Sequence, residues 1–574
     1  MHKYFHLFIV LLFSLFVFSC NSRSDLSSMN RDALKILKDK GLENSYKIYN
    51  FSVETHANKL RQKIYEDQGL FIPSNASLGL EHLVSVRGED SAYRDFKEST
   101  NQAKTYDFSE ALTLEEVLVI AAQNNREFQN EKDSVFKSAL ALDSTRFDFG
   151  FPMDSIDFKS TFTENKASSN LSRGIANTLE MGVNKKTISG ANFRSSIALD
   201  IVQLLKSKSA SAFGLVSDSS VTIPLLRGSG KHIAGEPLTK SERAVEYALA
   251  NFDFFRRNFV VKIAKEYYEI LQTVDQIKNA EENYKNLQNS TNRVAAIAES
   301  GRMPENQVDQ SKQDEYRAKL RLIDAKSRYQ DRLDRIKISM GIPVDSKLKL
   351  DQKELTDLAN QFILPENPIW QENETRLFRE AFDNRKDMQV FYRKVEDAQR
   401  AVAIAQDGMR AEFTIGGSVS AGDSRGLSTA DSSNSTPNFG KGRFQGLIHI
   451  DLPLNRKKET KFLRESIINL QQAIRNYQER EDQLKLSLRS AIRSIERVLE
   501  NYKIQKNSLD LAKRRVERAN LLLKAGRIEI RDLLEAQESF VLSQNALTDT
   551  VVNFRINQWS LQRDIGKLSL NQFL

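Results

Sequence analysis

The chain has 574 residues, enough for several ordinary domains, and its 84 basic and 76 acidic residues leave a formal net charge of +8. The two signs interleave, and no basic cluster carries aromatic residues between its charges, so the composition argues against nucleic-acid binding. The sequence holds one cysteine, which excludes disulfides within a chain and cysteine-based metal sites.

Residues 1–20 have the pattern of an export signal. Lys3 precedes an apolar run from Phe5 to Phe18 that is too short for a membrane-spanning helix. Cys20 stands where a bacterial lipoprotein carries its acylated cysteine, although Phe18 replaces the small residue usual there. We therefore predict lipidation at Cys20, and an ordinary signal with an incidental cysteine is the alternative. No later apolar run approaches 18 residues, so no transmembrane helix is predicted.

Residues 21–107 form a polar extension with little pattern, to which the sequence assigns no role. It either wraps over the body of the protein or is disordered. Regular structure is predicted from residue 108. Thr113 is a suitable N-cap residue with Glu116 at the capping-box position, so a helix should begin here and continue through Phe128.

Part of this first helix recurs 260 residues later, which indicates an internal duplication. We assign repeat 1 to residues 108–343, a linker to 344–370 and repeat 2 to 371–574. The matched pairs are Ala121 with Ala381, Asn124 with Asn384, Glu127 with Asp387, and Phe128 with Met388.

Alternating apolar and polar residues predict strands within each repeat. Repeat 1 should have two strands between about 145 and 226, and repeat 2 should have two between about 411 and 454. The alternating stretches are 147–151, 156–158, 192–201, 219–225, 412–415 and 448–452. An exported chain with such strands and no membrane helix suggests a transmembrane barrel, which four strands per chain close only by oligomerisation.

Each repeat should also contain a long helical hairpin. Between residues 463 and 568 apolar residues recur at steps of 3 and 4, and no proline interrupts them. This is the seam of a coiled coil. A turn at Ala525-Gly526-Arg527 divides the stretch into two arms, the first of them roughly 90 Å long at about 1.5 Å per residue. Repeat 1 has the same layout around Gly301-Arg302.

A glycine follows each hairpin turn after 40 residues: Gly341 in repeat 1 and Gly566 in repeat 2. Glycine adopts the positive φ that ends a helix, so each should close its second arm. The two Gly-Arg turns are 225 residues apart, whereas the first helices are 260 apart. Repeat 1 therefore has 35 extra residues, and they fall in the strand region.

The order, spacing and duplication of these parts resemble the TolC family of outer-membrane efflux proteins, over about residues 108–574. The motifs that carry the resemblance are Leu112-Thr113-Leu114-Glu115-Glu116, Asn124 to Phe128, Pro224 and Pro453 at strand ends, Gly301-Arg302, and Ala525-Gly526-Arg527 followed by Asp532-Leu533-Leu534-Glu535.

The resemblance implies a mainly α fold with β: a long α-helical coiled-coil barrel plus transmembrane β-barrel strands, internally duplicated and closed only as a trimer. It implies a homotrimer with about twelve shared strands in the outer membrane and a tunnel through the periplasm. The partners would be outer-membrane lipid, a periplasmic membrane-fusion adaptor and an inner-membrane pump. The function would be export, in a tripartite efflux or type I secretion system.

The resemblance also implies the functional sites. Asp532 and Glu535 lie three residues apart on one helix face, and in a trimer they would place six carboxylates in a cation-favouring constriction. Solvated surface carboxylates are the alternative. Val308, Leu533 and Leu534 are candidates for adaptor contact, or else for ordinary seam packing. The remaining tip residues are Gly301, Arg302, Gly526 and Arg527.

Two other classes of function compete with a channel. A periplasmic or surface coiled-coil lipoprotein with a structural role would not need the duplicated strands. An adaptor would carry one hairpin rather than two. We expect no enzyme activity, no cofactor and no metal site, because the histidines are scattered and no phosphate-loop motif is complete. Nothing in the predicted wall identifies the cargo.

Overall fold

Two long helical hairpins and one antiparallel sheet make up most of the described part of the protein. The computed structural model describes residues 23–43, 57–74, 77, 108, 110–150, 153–167, 170–204, 211–301, 303–360, 373–423, 442–452, 454–525 and 527–569.

The helices include two of more than 60 residues, which are the first arms of the two hairpins. In chain order the helices are α1 (Arg23–Glu43), α2 (Ala57–Asp67), α3 (Leu114–Asn124), α4 (Arg126–Asp148), α5 (Lys231–Ala234), α6 (Glu236–Glu299), α7 (Glu305–Ser339), α8 (Lys353–Asn360), α9 (Glu374–Asn384), α10 (Lys386–Asp407), α11 (Lys457–Lys524) and α12 (Ile530–Ile565).

The two hairpins confirm the predicted coiled-coil arms and the duplication. Helix α6 pairs with α7, and α11 pairs with α12. Helices α6 and α12 also pack together, which leaves α7 and α11 on opposite sides of this layer. At about 1.5 Å per residue, the 68 residues of α11 span roughly 100 Å.

The described strands form one large sheet and one small parallel pair. The six-stranded sheet has the order β2-β3-β4-β5-β7-β8 and is antiparallel throughout. The strands are β1 (Ala111–Leu112), β2 (Met153–Ala167), β3 (Asn170–Lys186), β4 (Asn192–Leu204), β5 (Ser211–Pro224), β6 (Lys349–Leu350), β7 (Glu412–Asp423) and β8 (Gly442–Asp451).

Repeat 1 therefore contributes four of the described strands to this sheet, not the two that we predicted. The stretch Asn170–Leu204, which is as long as the extra 35 residues, forms strands β3 and β4. Alternation in β3 is interrupted by polar residues such as Asn177, so its pattern was missed. The prediction of a strand at 147–151 was also wrong, because α4 continues to Asp148 and ends before Gly150.

The closing glycines have the backbone conformation that the sequence predicted. The φ angles of Gly301, Gly341 and Gly566 are 70°, 75° and 79°. A Cβ on Gly341 would lie 2.0 Å from the backbone oxygen of Asn124, and one on Gly566 would lie 2.9 Å from Cβ of Asn384. The end of each repeat thus contacts its beginning at matched positions, as expected for a duplication.

Further segments pack against the helical body. Helix α1 lies along α4 and α6, with Lys40 Nζ 3.4 Å from Glu246 Oε1, and α2 contacts α3. For these two helices, wrapping over the body is what the structure shows. The stretch 344–370, predicted as a linker, contains α8 and also β6, which pairs with β1.

Among the helices of the described segments, none is long and apolar enough to cross a membrane.

Candidate functional site

The large sheet has one apolar face. Phe158, Leu179, Leu199 and Leu215 follow one another across strands β2 to β5 in register. The same face carries Ile197, which is 52% exposed. On the last two strands, Ile415 pairs with Ile448 and Val419 with Phe444, and all four side chains are exposed. A continuous apolar face open to the surroundings is typical of a lipid-facing sheet.

The opposite face is polar and more enclosed. Lys159, Thr178 and Asp200 are in register across β2, β3 and β4, and the Thr178 hydroxyl donates to Asp200 Oδ1 at 2.8 Å. Asp200 is only 8% exposed, and Val202 and Ala212 on this face are buried. These values fit the inside of a curved sheet. Polar residues on the inner face and apolar residues on the outer face form the pattern of a membrane channel wall.

The tip of the first hairpin is a tight turn above a buried polar contact. The N–H of Gly301 donates to the carbonyl of Ala298 at 2.8 Å. A Cβ added to Gly301 would meet no atom within 4 Å, so the turn is open to its surroundings. Val308 is buried in the apolar cluster of the tips. Thr291 and Ser311 each lie ten residues from Gly301, and their hydroxyl oxygens are 3.0 Å apart. Equal distance from the turn is the sequence signal that could have identified this pair.

The tip of the second hairpin joins the same apolar cluster. Leu533 and Leu534 are buried there with Ile530, so their burial favours seam packing over adaptor contact in this conformation. Arg527 is exposed, and its N–H donates to the carbonyl of Leu522 at 2.9 Å. The turn therefore presents a guanidinium group to solvent at the end of the hairpin.

The two predicted constriction carboxylates have different surroundings. Asp532 is partly exposed in the first turn of α12. Glu535 is exposed on the next turn, and its Oε2 lies 3.6 Å from Nη2 of Arg515 on α11. Sequence reasoning missed Arg515. Because the guanidinium lies beside Glu535, it offsets part of that residue's negative charge, whereas Asp532 has no such contact among the described ion pairs.

Hydrogen bonds join the two hairpins above their tips. Asn279 Nδ2 donates to Asn545 Oδ1 at 2.9 Å, and the Thr548 hydroxyl donates to Asp275 Oδ2 at 2.7 Å. Beside them is a cavity of about 260 Å³. Its lining includes Asn283, Asn286, Asn289, Ser290 and Arg293. A polar cavity of this size holds water, so this part of the contact between hairpins is wet and polar.

Three of the predicted site residues lie outside the described residues. They are Cys20, Arg302 and Gly526. The predicted signal peptide at 1–20 and the strand-ending Pro453 lie outside them as well.

Solved structures with the same architecture are outer-membrane channels. CusC superposes with a TM-score of 0.57 at 15% identity, covering 81% of this chain and 95% of CusC. The CmeC outer-membrane channel of Campylobacter jejuni superposes with a TM-score of 0.60 at 14% identity, covering 79% of this chain and 85% of CmeC. The open state of the MtrE outer-membrane channel of Neisseria gonorrhoeae superposes with a TM-score of 0.56 at 14% identity, covering 79% of this chain and 88% of MtrE.

The chain has the fold of these outer-membrane channels. The mainly α fold with long paired helices and an antiparallel sheet, implied by the TolC resemblance, is thereby confirmed, and closure into a barrel by three copies stays a prediction. No protein-family model and no curated protein matches the sequence. Since the identity to the channels is 14–15%, the likeness concerns the channel fold alone.

Proposed function

We propose that the protein is the outer-membrane channel of a tripartite efflux or type I secretion system, and that three copies close into one export duct. The observation that carries this proposal is the sheet with an apolar exposed face and a polar enclosed face, connected directly to helical hairpins about 100 Å long. A lipid-facing wall joined to a long tube is what a passage through the outer membrane and periplasm requires.

Closure by further copies is supported by the edges of the helical layer. On α7, four exposed apolar residues fall on one face, and on α11 four more do the same. They are Tyr316, Leu320, Ile323 and Ile338 on α7, and Leu486, Ile504, Leu511 and Leu522 on α11. Because α7 and α11 lie on opposite sides of the layer, a contact between them joins different copies head to tail and generates a ring. The number three is what the TolC resemblance implies.

The tips are the proposed gate and adaptor site. Asp532 and Glu535 would form rings of carboxylates at the narrow end, with Arg515 partly neutralising the ring of Glu535. The exposed turns around Gly301 and Arg527 would meet a periplasmic membrane-fusion adaptor bound to an inner-membrane pump. Val308, Leu533 and Leu534 would support these turns from inside, and would touch an adaptor only if the tips separate.

The amino end is the proposed membrane anchor. Acylation of Cys20 would place lipid just before α1, which begins at Arg23 and lies along the helical body. The protein would then be held in the outer membrane both by its sheet and by lipid. The support for acylation lies in the sequence of residues 1–20.

The proposal is tested by the native mass of the protein extracted from membranes with detergent. We expect three chains per particle and no release from membranes without detergent. A monomer or dimer that is released without detergent would contradict the channel and leave a coiled-coil structural lipoprotein as the better interpretation.

A charge-matched pair of variants tests ring closure through the helical edges. Leu320→Glu places a negative charge within the α7 stripe and should reduce the trimer yield. Arg328→Gln changes the net charge by the same amount on another face of the same helix and should leave the trimer intact. Equal yields from both variants would show that the stripe is not an interface.

A further inference from the structure

The extra strands of repeat 1 are built into the full height of the sheet. Strand β3 pairs with β4 from Gly174–Leu204 to Lys186–Asn192, and β4 continues along β5. A hairpin that only projected from the membrane would lack this continuous pairing with β5. Strands β3 and β4 are therefore part of the wall.

The turn between β3 and β4 is fixed at the helical end of the sheet. It lies against the loop that leads from β5 to α6, where the N–H of Gly230 donates to the carbonyl of Ser189 at 3.0 Å. The contact is close, because a Cβ on Gly190 would lie 2.7 Å from the oxygen of Gly228. Strands β3 and β4 thus start and end at the level where the sheet meets the helices.

The two edges of the described sheet are suited to join one another between copies. Strands β2 and β8 each have one hydrogen-bonded neighbour within the described sheet. Because the six described strands alternate in direction, β8 of one copy and β2 of the next run antiparallel. Long unpaired strand edges are prone to add another strand. Here the continuation of the sheet is a second copy of the chain.

We propose that three copies join edge to edge into one barrel of eighteen strands, six described strands from each copy, and that this barrel opens wider than the twelve strands implied by the TolC resemblance. The inference rests on the proposed function, since it requires a ring of three chains. It goes beyond that function because it sets the size of cargo that the outer opening can pass.

The widths of the helical tube and of the barrel can be compared at ordinary spacings and tilt. Four helices per copy lead into or out of the sheet along the chain (α4, α6, α10 and α11), so three copies give a ring of twelve. At helix spacings of about 8–10 Å the ring measures roughly 96–120 Å. Strands spaced about 4.8 Å apart and tilted by about 40° each occupy about 6.2 Å of circumference. Eighteen strands then span roughly 110 Å, whereas twelve span roughly 75 Å.

At this tilt an eighteen-strand barrel matches the width of the helical tube, whereas twelve strands, the number implied by the TolC resemblance, match it only at a steeper tilt. Its backbone radius is roughly 18 Å, against roughly 12 Å for twelve strands at the same tilt. Barrels of 16–18 strands leave an aqueous channel in other outer-membrane proteins. The opening would admit bulky solutes that a twelve-strand barrel of ordinary tilt excludes.

Disulfide crosslinking tests which strand forms the edge. Phe444→Cys on β8, combined with Phe158→Cys or Phe162→Cys on β2, should give covalent trimers, since all three positions are exposed on the apolar face. Ile197→Cys on β4 with Phe444→Cys is the control and should give none. Crosslinking through β4, or an intact trimer that neither β2 pair crosslinks, would overturn the eighteen-strand barrel. Loss of the trimer in all samples would instead overturn the proposed function.

Polymer exclusion tests the width directly. Deleting Asn170–Leu204 removes β3 and β4 and leaves eight residues to connect β2 with β5 at the outer end. In planar bilayers, neutral polyethylene glycols of graded size are added to the outer side. The radius at which they stop entering should fall to about two thirds of the wild-type value. The control shortens the segment 424–441, which follows β7 in the chain, and should keep the wild-type cut-off. If the wild type, the deletion variant and the control all excluded polymers at the same radius, the inference would be overturned.

Discussion

Replacing Gly341 by alanine should destabilise the protein far more than the same change at Gly301. Both glycines have a positive φ, 75° and 70°, so both substitutions force alanine into the left-handed region. They differ in surroundings. A Cβ on Gly301 meets nothing within 4 Å, whereas one on Gly341 would lie 2.0 Å from the carbonyl oxygen of Asn124 and 3.1 Å from the nitrogen of Asn125.

The structure gives the size of each effect. The left-handed conformation costs about 1–2 kcal/mol, which is the whole cost at Gly301. At Gly341 the backbone must also move away from Asn124 by at least 1 Å, because Cβ atoms essentially never lie closer than 3.0 Å to another heavy atom. That movement strains the hydrogen bond from Asn125 Nδ2 to the carbonyl of Ser339, 2.7 Å long, and opens the buried core around Met340. We expect a total above about 4 kcal/mol, as for other substitutions that disrupt a core.

Thermal unfolding of the detergent-extracted protein measures the difference. At about 2 °C per kcal/mol, Gly301→Ala should lower the midpoint by no more than about 4 °C. Gly341→Ala should lower it by about 8 °C or more, or reduce the folded yield. Equal shifts for the two variants would refute the close contact between the two ends of repeat 1.

Three further predictions concern charges. Asp532→Asn should reduce cation selectivity in planar bilayers more than Glu535→Gln does, because Arg515 already offsets Glu535; the reverse order would place the constriction elsewhere. Burial raises the pKa of the Glu266 carboxyl above its ordinary value of 4.5, so stability falls as the pH rises from that value through the raised pKa. Glu266→Gln should therefore raise the unfolding midpoint at pH 7–8 but not below pH 4, and a gain that is the same at every pH would exclude this cause. Asp387→Ala should cost about 3–5 kcal/mol by leaving its buried arginine partner uncompensated, and an unchanged midpoint would contradict that pairing.

The helical half of the fold was predictable from local pattern. The steps of 3 and 4 between residues 463 and 568 predicted both arms of the second hairpin, and α11 and α12 confirm them. The closing glycines were predictable for the same reason. A helix is built from contacts within a few residues, and a positive φ is a property of a single residue, so both leave a signal in a short window.

The sheet was predictable only in part. Strands β4 and β5 show clear alternation, but in β3 polar residues such as Asn177 also fall on the apolar face and interrupt the pattern. The 35 extra residues of repeat 1 signalled additional structure without showing that it was a hairpin. Whether such a stretch joins a sheet depends on β2 and β4 beside it, and those contacts are non-local.

The candidate site shows the same division. By itself, the sequence determined the two hairpins, their turns, the duplication and the presence of Asp532 and Glu535 near a tip. Only the tertiary structure decided that Arg515 neighbours Glu535, that Leu533 is buried, and that six described strands have one apolar and one polar face. The physical reason is distance along the chain. Periodicity shows which face of an element is apolar, but what that face meets is decided by residues tens to hundreds of positions away.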